Sequence, residues 1–275
     1  MGGPIGVFDS GVGGLTVLRA LREALPGEDF VYLGDTARLP YGTKSAETVA
    51  RYSLQCAGAL LARGIATLVV ACNTASASAL GALRLRHPTL PVIGVIEPGA
   101  EAAVAASKSQ HIAVIATEGT IRGGAYQDAI RRRSPAARVT TCACSMFVAL
   151  AEEGWTRGAA AELIAHRYLD PLFEADDAPD TLVLGCTHFP VLLEAIRCVL
   201  PGGVRIVDSA ATTARALSRE LGARAAGTAA PGTAAPGTAG RIAWLATDDA
   251  ERFARVGSRF FGESLRADAV QVIDL

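Results

Sequence analysis

Residues 181–190 read TLVLGCTHFP: a five-residue run with the apolar, β-branched character of a buried strand, then cysteine, threonine and histidine at its end. Residues 67–77, TLVVACNTASA, repeat the plan of Thr-Leu-Val-aliphatic-small-Cys followed by polar residues. A strand with no polar alternation needs both faces covered, the condition of a parallel sheet flanked by helices. Further runs of this kind are PIGVF, FVYLG, ATLVVA, PVIGVI, IAVIA, ARVTTC, VRIVD, RIAWLA and AVQVI, and most are separated by helix-forming stretches such as GLTVLRALREAL. The alternation predicts an α/β fold built by right-handed crossovers.

The repeated cysteine motif also divides the chain. IGVFDSGVGG and IAVIATEGTI each open a half with a strand and a turn of small residues. We therefore expect two pseudosymmetric α/β domains with mainly parallel sheets, residues 1–97 plus 208–275 forming the first and 98–207 the second. Ligands of open α/β sheets bind beyond the carboxyl ends of the strands. Cys72 and Cys186 both occupy such ends, so the two thiols should face one interdomain cleft, the expected active site. One stretch fits no element: GTAAPGTAAPGTAG, residues 227–240, whose glycines and prolines predict a flexible surface loop.

Composition narrows the function. A net charge of −1 leaves no basic field for nucleic acid or an anionic membrane. No apolar run reaches the length of a membrane span, and the opening MGGPIGVFDS lacks the charged and apolar regions of a signal peptide, so the expected location is the cytoplasm. Six cysteines in a reducing compartment do not read as a disulfide framework, and with no C-x-x-C no metal site is expected. Cys142 and Cys144, a C-x-C in a strand-like run, read as packing residues.

Two facing thiols favour one chemistry over its rivals. A nucleophilic hydrolase needs a single cysteine with a base, and a disulfide oxidoreductase wants its pair within bonding distance. Stereoinversion wants two matched acid–base groups on opposite faces of one carbon, so that reversing the reaction exchanges their roles. The usual alternative, pyridoxal phosphate on a lysine, finds only Lys44 and Lys108, neither in a convincing cofactor motif. No cofactor is expected.

The segments FDSGVGGLTVL, LGDTARLPYGTKS, VVACNTASA, PVIGVIEPG, TEGTIRGGAYQ, LVLGCTHFP and VDSA, running from residue 5 to about 210, together resemble the glutamate racemases of the aspartate/glutamate racemase superfamily. The resemblance implies a cofactor-independent two-base mechanism on glutamate, homodimers, and a supply of D-glutamate for peptidoglycan and hence cell shape. It implies that Cys72 deprotonates the D-enantiomer and Cys186 the L-enantiomer. Aspartate-specific relatives typically carry Glu where His188 stands, which favours glutamate. Ser145 and Ala149 depart from the prolines usual in the family.

Each motif residue then acquires an expected role. Both cysteines precede helical stretches, whose N-termini lower a thiol pKa. His188 should assist Cys186, and Asp9 should serve beside Cys72, accept from the substrate ammonium, or cap the following helix. Ser10, Asn73, Thr74 and Thr187, with backbone amides near Tyr41 and Gly42, are the expected carboxylate donors; the reading of Tyr41 and Gly42 rests on the resemblance. Glu152 and Glu153 are candidates to orient His188, with a solvated helix face as the equal alternative. Three other readings remain at this stage: a racemase of aspartate or another small acidic amino acid, a Cys186/His188 nucleophilic enzyme, and a non-catalytic binding protein.

Overall fold

The computed structural model describes residues 3–227 and 240–275, so most of the 227–240 repeat lies outside the described residues. Every β run read from the sequence is a strand: β1 (Ile5–Asp9), β2 (Phe30–Gly34), β3 (Thr67–Val70), β4 (Val92–Gly94), β5 (His111–Ala116), β6 (Arg138–Ala143), β7 (Thr181–Gly185), β8 (Arg205–Asp208), β9 (Ile242–Ala246) and β10 (Val270–Val272). The helices are α1 (Leu15–Ala24), α2 (Ala46–Leu61), α3 (Asn73–Arg86), α4 (Ile96–Ala106), α5 (Glu118–Arg122), α6 (Ala125–Arg133), α7 (Ser145–Glu153), α8 (Ala159–Phe173), α9 (Leu193–Val199), α10 (Ser209–Gly227) and α11 (Ala250–Phe261). Among the described residues no helix is long and apolar enough to cross a membrane.

The strands form two parallel sheets, in the orders β10-β9-β2-β1-β3-β4 and β6-β5-β7-β8. All residues of β1, β2, β3, β5 and β7 are buried, because helices cover both faces of these central strands. The first four strands of each sheet in chain order share one arrangement, 2-1-3-4 against 6-5-7-8. In the first sheet the order reverses between β1 and β3, and in the second between β5 and β7. A reversal leaves a crevice at the strand carboxyl ends, because the connecting helices depart to opposite faces there. Asp9 ends β1, Cys72 follows β3, Thr117 follows β5 and Cys186 follows β7. The sheet order therefore puts both cysteines at crevices.

The line drawn at 97/98 cuts through α4, which packs on α6, β7 and β8 of the second half as well as on α3. Asp208 likewise belongs to β8, one residue past the expected boundary. The chain then returns through α10, packed on α1 and α4, to add β9, β10 and α11 to the first half. Among the cysteines of the C-x-C pair, Cys144 is buried and Cys142 half-buried on edge strand β6; all six cysteines are free.

Candidate active site

Cys72 sits one residue before α3 as its cap: its Sγ accepts the Ala75 N–H at 3.4 Å and donates to Ser10 Oγ at 3.6 Å. Asp9, fully buried at the end of β1, accepts the Gly11 N–H on Oδ2 at 3.0 Å, while its Oδ1 has no partner. Its expected capping role is thus directed into its own turn. The helix-terminus effect expected for Cys72 loses to two stronger ones. Burial and then the Asp9 carboxylate push the thiol up to about 12, against the lowering by the Ala75 N–H and Ser10. Burial raises the Asp9 pKa too, although the His188 charge and the turn amides oppose it.

Cys186 is organised differently. Its Sγ lies 3.9 Å from His188 Nδ1, and His188 Nε2 lies 3.2 Å from Glu152 Oε1. Arg252 donates to the other Glu152 oxygen at 3.0 Å. Burial alone would lower the His188 pKa, but the bonds to Cys186 and Glu152 and the charges of Cys186 and Asp9 raise it to about 10. Glu152 is held below its ordinary value: burial works against this, and the His188 and Arg252 charges outweigh it. The imidazolium is therefore the charged form near neutrality. Of the two glutamates proposed for this role only Glu152 reaches His188. Glu153, one residue on and about 100° around the helix, is exposed.

The first half holds this second-half cluster in place. Thr16 Oγ1 donates to the Thr187 carbonyl at 3.2 Å, and the His188 ring meets Phe260 edge-on at 5.0 Å. A Cβ at Gly13 would come within 2.4 Å of both His188 Nδ1 and Thr187 Oγ1. Gly13→Ala is thus expected to push the imidazole off Cys186; a displacement of about 1 Å costs about 10²-fold in turnover. Steady-state rates alongside a denaturation curve check this, since a fall in stability without lost activity would contradict it.

Neutral hydrogen-bonding residues follow Cys72 directly in the chain. Asn73 is buried with Oδ1 accepting from the Tyr126 hydroxyl at 2.8 Å and with Nδ2 unpartnered. Thr74 Oγ1 joins Thr117 Oγ1 at 2.9 Å and Thr120 Oγ1 at 3.1 Å, a triangle of hydroxyls bridging the halves. Gly42 belongs here through its backbone, because a Cβ there would sit 2.7 Å from the Thr117 Cβ. The Tyr41 side chain does not: its hydroxyl donates to buried Asp35 and lies 3.8 Å from Cys56 Sγ, so the ring anchors the loop from below. Sequence reasoning missed Thr117, Thr120, Tyr126 and Arg252. For the two threonines a signal existed, since ATEGT ends β5 as FDSGV ends β1. A cavity of about 260 Å³ opens beside Glu152 and Arg252, but neither cysteine lines it.

Charges act across the halves: His188 on Asp9, Cys186 on Cys72 and Asp9 on His188. These residues thus offer two sulfurs, an unpartnered carboxylate oxygen, an unpartnered amide nitrogen and a set of hydroxyls. The family model described as Asp/Glu/Hydantoin racemase matches residues 5–217. A glutamate racemase of Geobacter metallireducens is 52% identical over 98% of this chain and 96% of its own. Among solved structures, glutamate racemase from Francisella tularensis in complex with D-glutamate superposes with a TM-score of 0.88 at 33% identity, covering 99% of this chain and 97% of that one. The Thermus thermophilus glutamate racemase, in complex with beta-chloro-D-alanine, gives 0.84 at 43% identity with the same coverage of both chains. The chain belongs to the Asp/Glu/Hydantoin racemase family and, within it, to the glutamate racemases, which are isomerases of an amino acid.

Proposed function

We propose that the chain interconverts L- and D-glutamate by two-base proton transfer between Cys72 and Cys186. In the L-to-D direction Cys186 takes the Cα proton from one face, with the His188 imidazolium beside its sulfur carrying the compensating charge. Cys72 delivers its own proton to the opposite face, leaving Cys186 as thiol and Cys72 as thiolate; the D-to-L reaction runs the same steps backwards. The observation that supports this reading best is the placement of the two sulfurs at equivalent strand ends, each beside its own acid–base partner: Asp9 and Ser10 at one, His188 and Glu152 at the other.

The unpartnered atoms fit a zwitterionic substrate. Asp9 Oδ1 is an acceptor for the ammonium, and Asn73 Nδ2 is a donor for a carboxylate. Thr74, Ser10, Thr187 and the Gly42 backbone add neutral donors, with Thr117 and Thr120 beside them. Recognition without a cation keeps ground-state binding modest, which leaves binding energy for the transition state. The family resemblance extends the proposal to a homodimer in the cytoplasm that supplies D-glutamate for peptidoglycan.

Solvent deuterium separates the mechanisms. Starting from either enantiomer in D₂O, the product is expected to carry deuterium at Cα from its first appearance, while the recovered substrate stays protonated early in the reaction. Deuterium entering recovered substrate as fast as product would mean a single base, and no incorporation at all would end the proposal. Aspartate in a parallel reaction tests the substrate assignment and should turn over far more slowly.

A further inference from the structure

Tyr126 lies on α6 of the second half, fully buried, and its hydroxyl crosses to Asn73 on α3 of the first. Two glycines make the slot for its ring. A Cβ at Gly99 would sit 3.3 Å from the ring, and one at Gly185 would sit 3.0 Å from it. Gly185 directly precedes Cys186, so the ring packs on the backbone that carries the second sulfur.

An asparagine amide has two orientations related by a half-turn, which exchange its donor and acceptor. Facing a carboxylate, one attracts and the other repels. We propose that Tyr126 is a positioning residue that fixes this choice: its hydroxyl holds the Asn73 carbonyl toward α6, so that the NH₂ is presented to the substrate carboxylate. This rests on the racemase reading of the site. The unpartnered, buried Nδ2 is the expected consequence, a donor kept ready for a ligand. Burial, and then the Cys186 and Asp208 charges, raise the phenol pKa well above its ordinary value, so the hydroxyl keeps the proton it donates.

Tyr126→Phe removes only the O–H. It is expected to raise KM for L- and D-glutamate alike by about 10-fold, the loss typical of one hydrogen bond to a charged group, with kcat changed much less. Asn73→Ala raises KM by itself, and adding Tyr126→Phe to it should then change nothing further, because the tyrosine acts only through that amide. Circular dichroism verifies that each variant is folded at the assay temperature. An unchanged KM in Tyr126→Phe, or an effect that persists undiminished in the Asn73→Ala background, would overturn the inference while the racemase reading stands. Absence of glutamate turnover in the unaltered protein would instead overturn that reading and this inference with it.

Discussion

Cys72→Ser and Cys186→Ser are each expected to lower kcat/KM for glutamate by at least about 10³-fold, within the range general acid–base groups contribute. A serine hydroxyl is too weak an acid to deliver the proton and, unionised, too weak a base to remove one. Because two enantiomers have equal free energy, kcat/KM must remain equal in the two directions for every variant, so neither cysteine can be lost from one direction only. The distinction between them shows in exchange. Cys72→Ser keeps the base facing the L-enantiomer, so deuterium should wash into L-glutamate without inversion; Cys186→Ser should exchange the D-enantiomer in the same way. A nucleophilic enzyme would lose activity only in Cys186→Ser, and a binding protein in neither. Retention of near-normal turnover by either variant would refute two-base inversion.

The second large effect belongs to His188. His188→Asn is expected to cost about 10²-fold, since an amide carries no charge to balance the Cys186 sulfur. The unaltered enzyme should lose kcat/KM as pH rises through about 10, where the imidazolium gives up its proton. Glu152→Gln removes the carboxylate that helps raise the His188 pKa, so the alkaline limb should move to lower pH. The same linkage acts on stability. His188 has a folded pKa raised from 6.5 to about 10, so its contribution is complete below about pH 6.5 and is lost as pH climbs through about 10. An alkaline limb in the same place for the unaltered enzyme and Glu152→Gln would show that another group titrates there.

The two sides of this site are not residue-by-residue copies. Counting from the strand ends, the position equivalent to Asp9 is Ala116; counting from the two cysteines, the position equivalent to His188 is Thr74. The halves supply sulfurs from equivalent places and acid–base partners from different ones. The proposed two-base inversion needs an acid–base group on each face of the carbon but can charge-balance the two unequally, and here one thiol stands beside a buried carboxylate while the other stands beside an imidazolium.

Much of this was written in local residue order. The ten β runs were legible because central parallel strands must be apolar on both faces, a signal that short windows carry. Cys72, Cys186 and His188 were legible because each lies within three residues of a strand end, and strand ends are where such folds bind ligands. Tertiary structure decided what depends on neighbours distant in the chain. The Cys72 pKa rises although a helix begins beside it, because burial and Asp9, 63 residues earlier in the chain, outweigh the helix end. Glu152 rather than Glu153 reaches His188 because helix rotation and the packing of α7 select one face. The Tyr41 hydroxyl turns to Asp35, and Tyr126 and Arg252 come to the site from remote helices. Periodicity records which surface of an element is buried; it holds no record of which charge or dipole the fold will place against that surface.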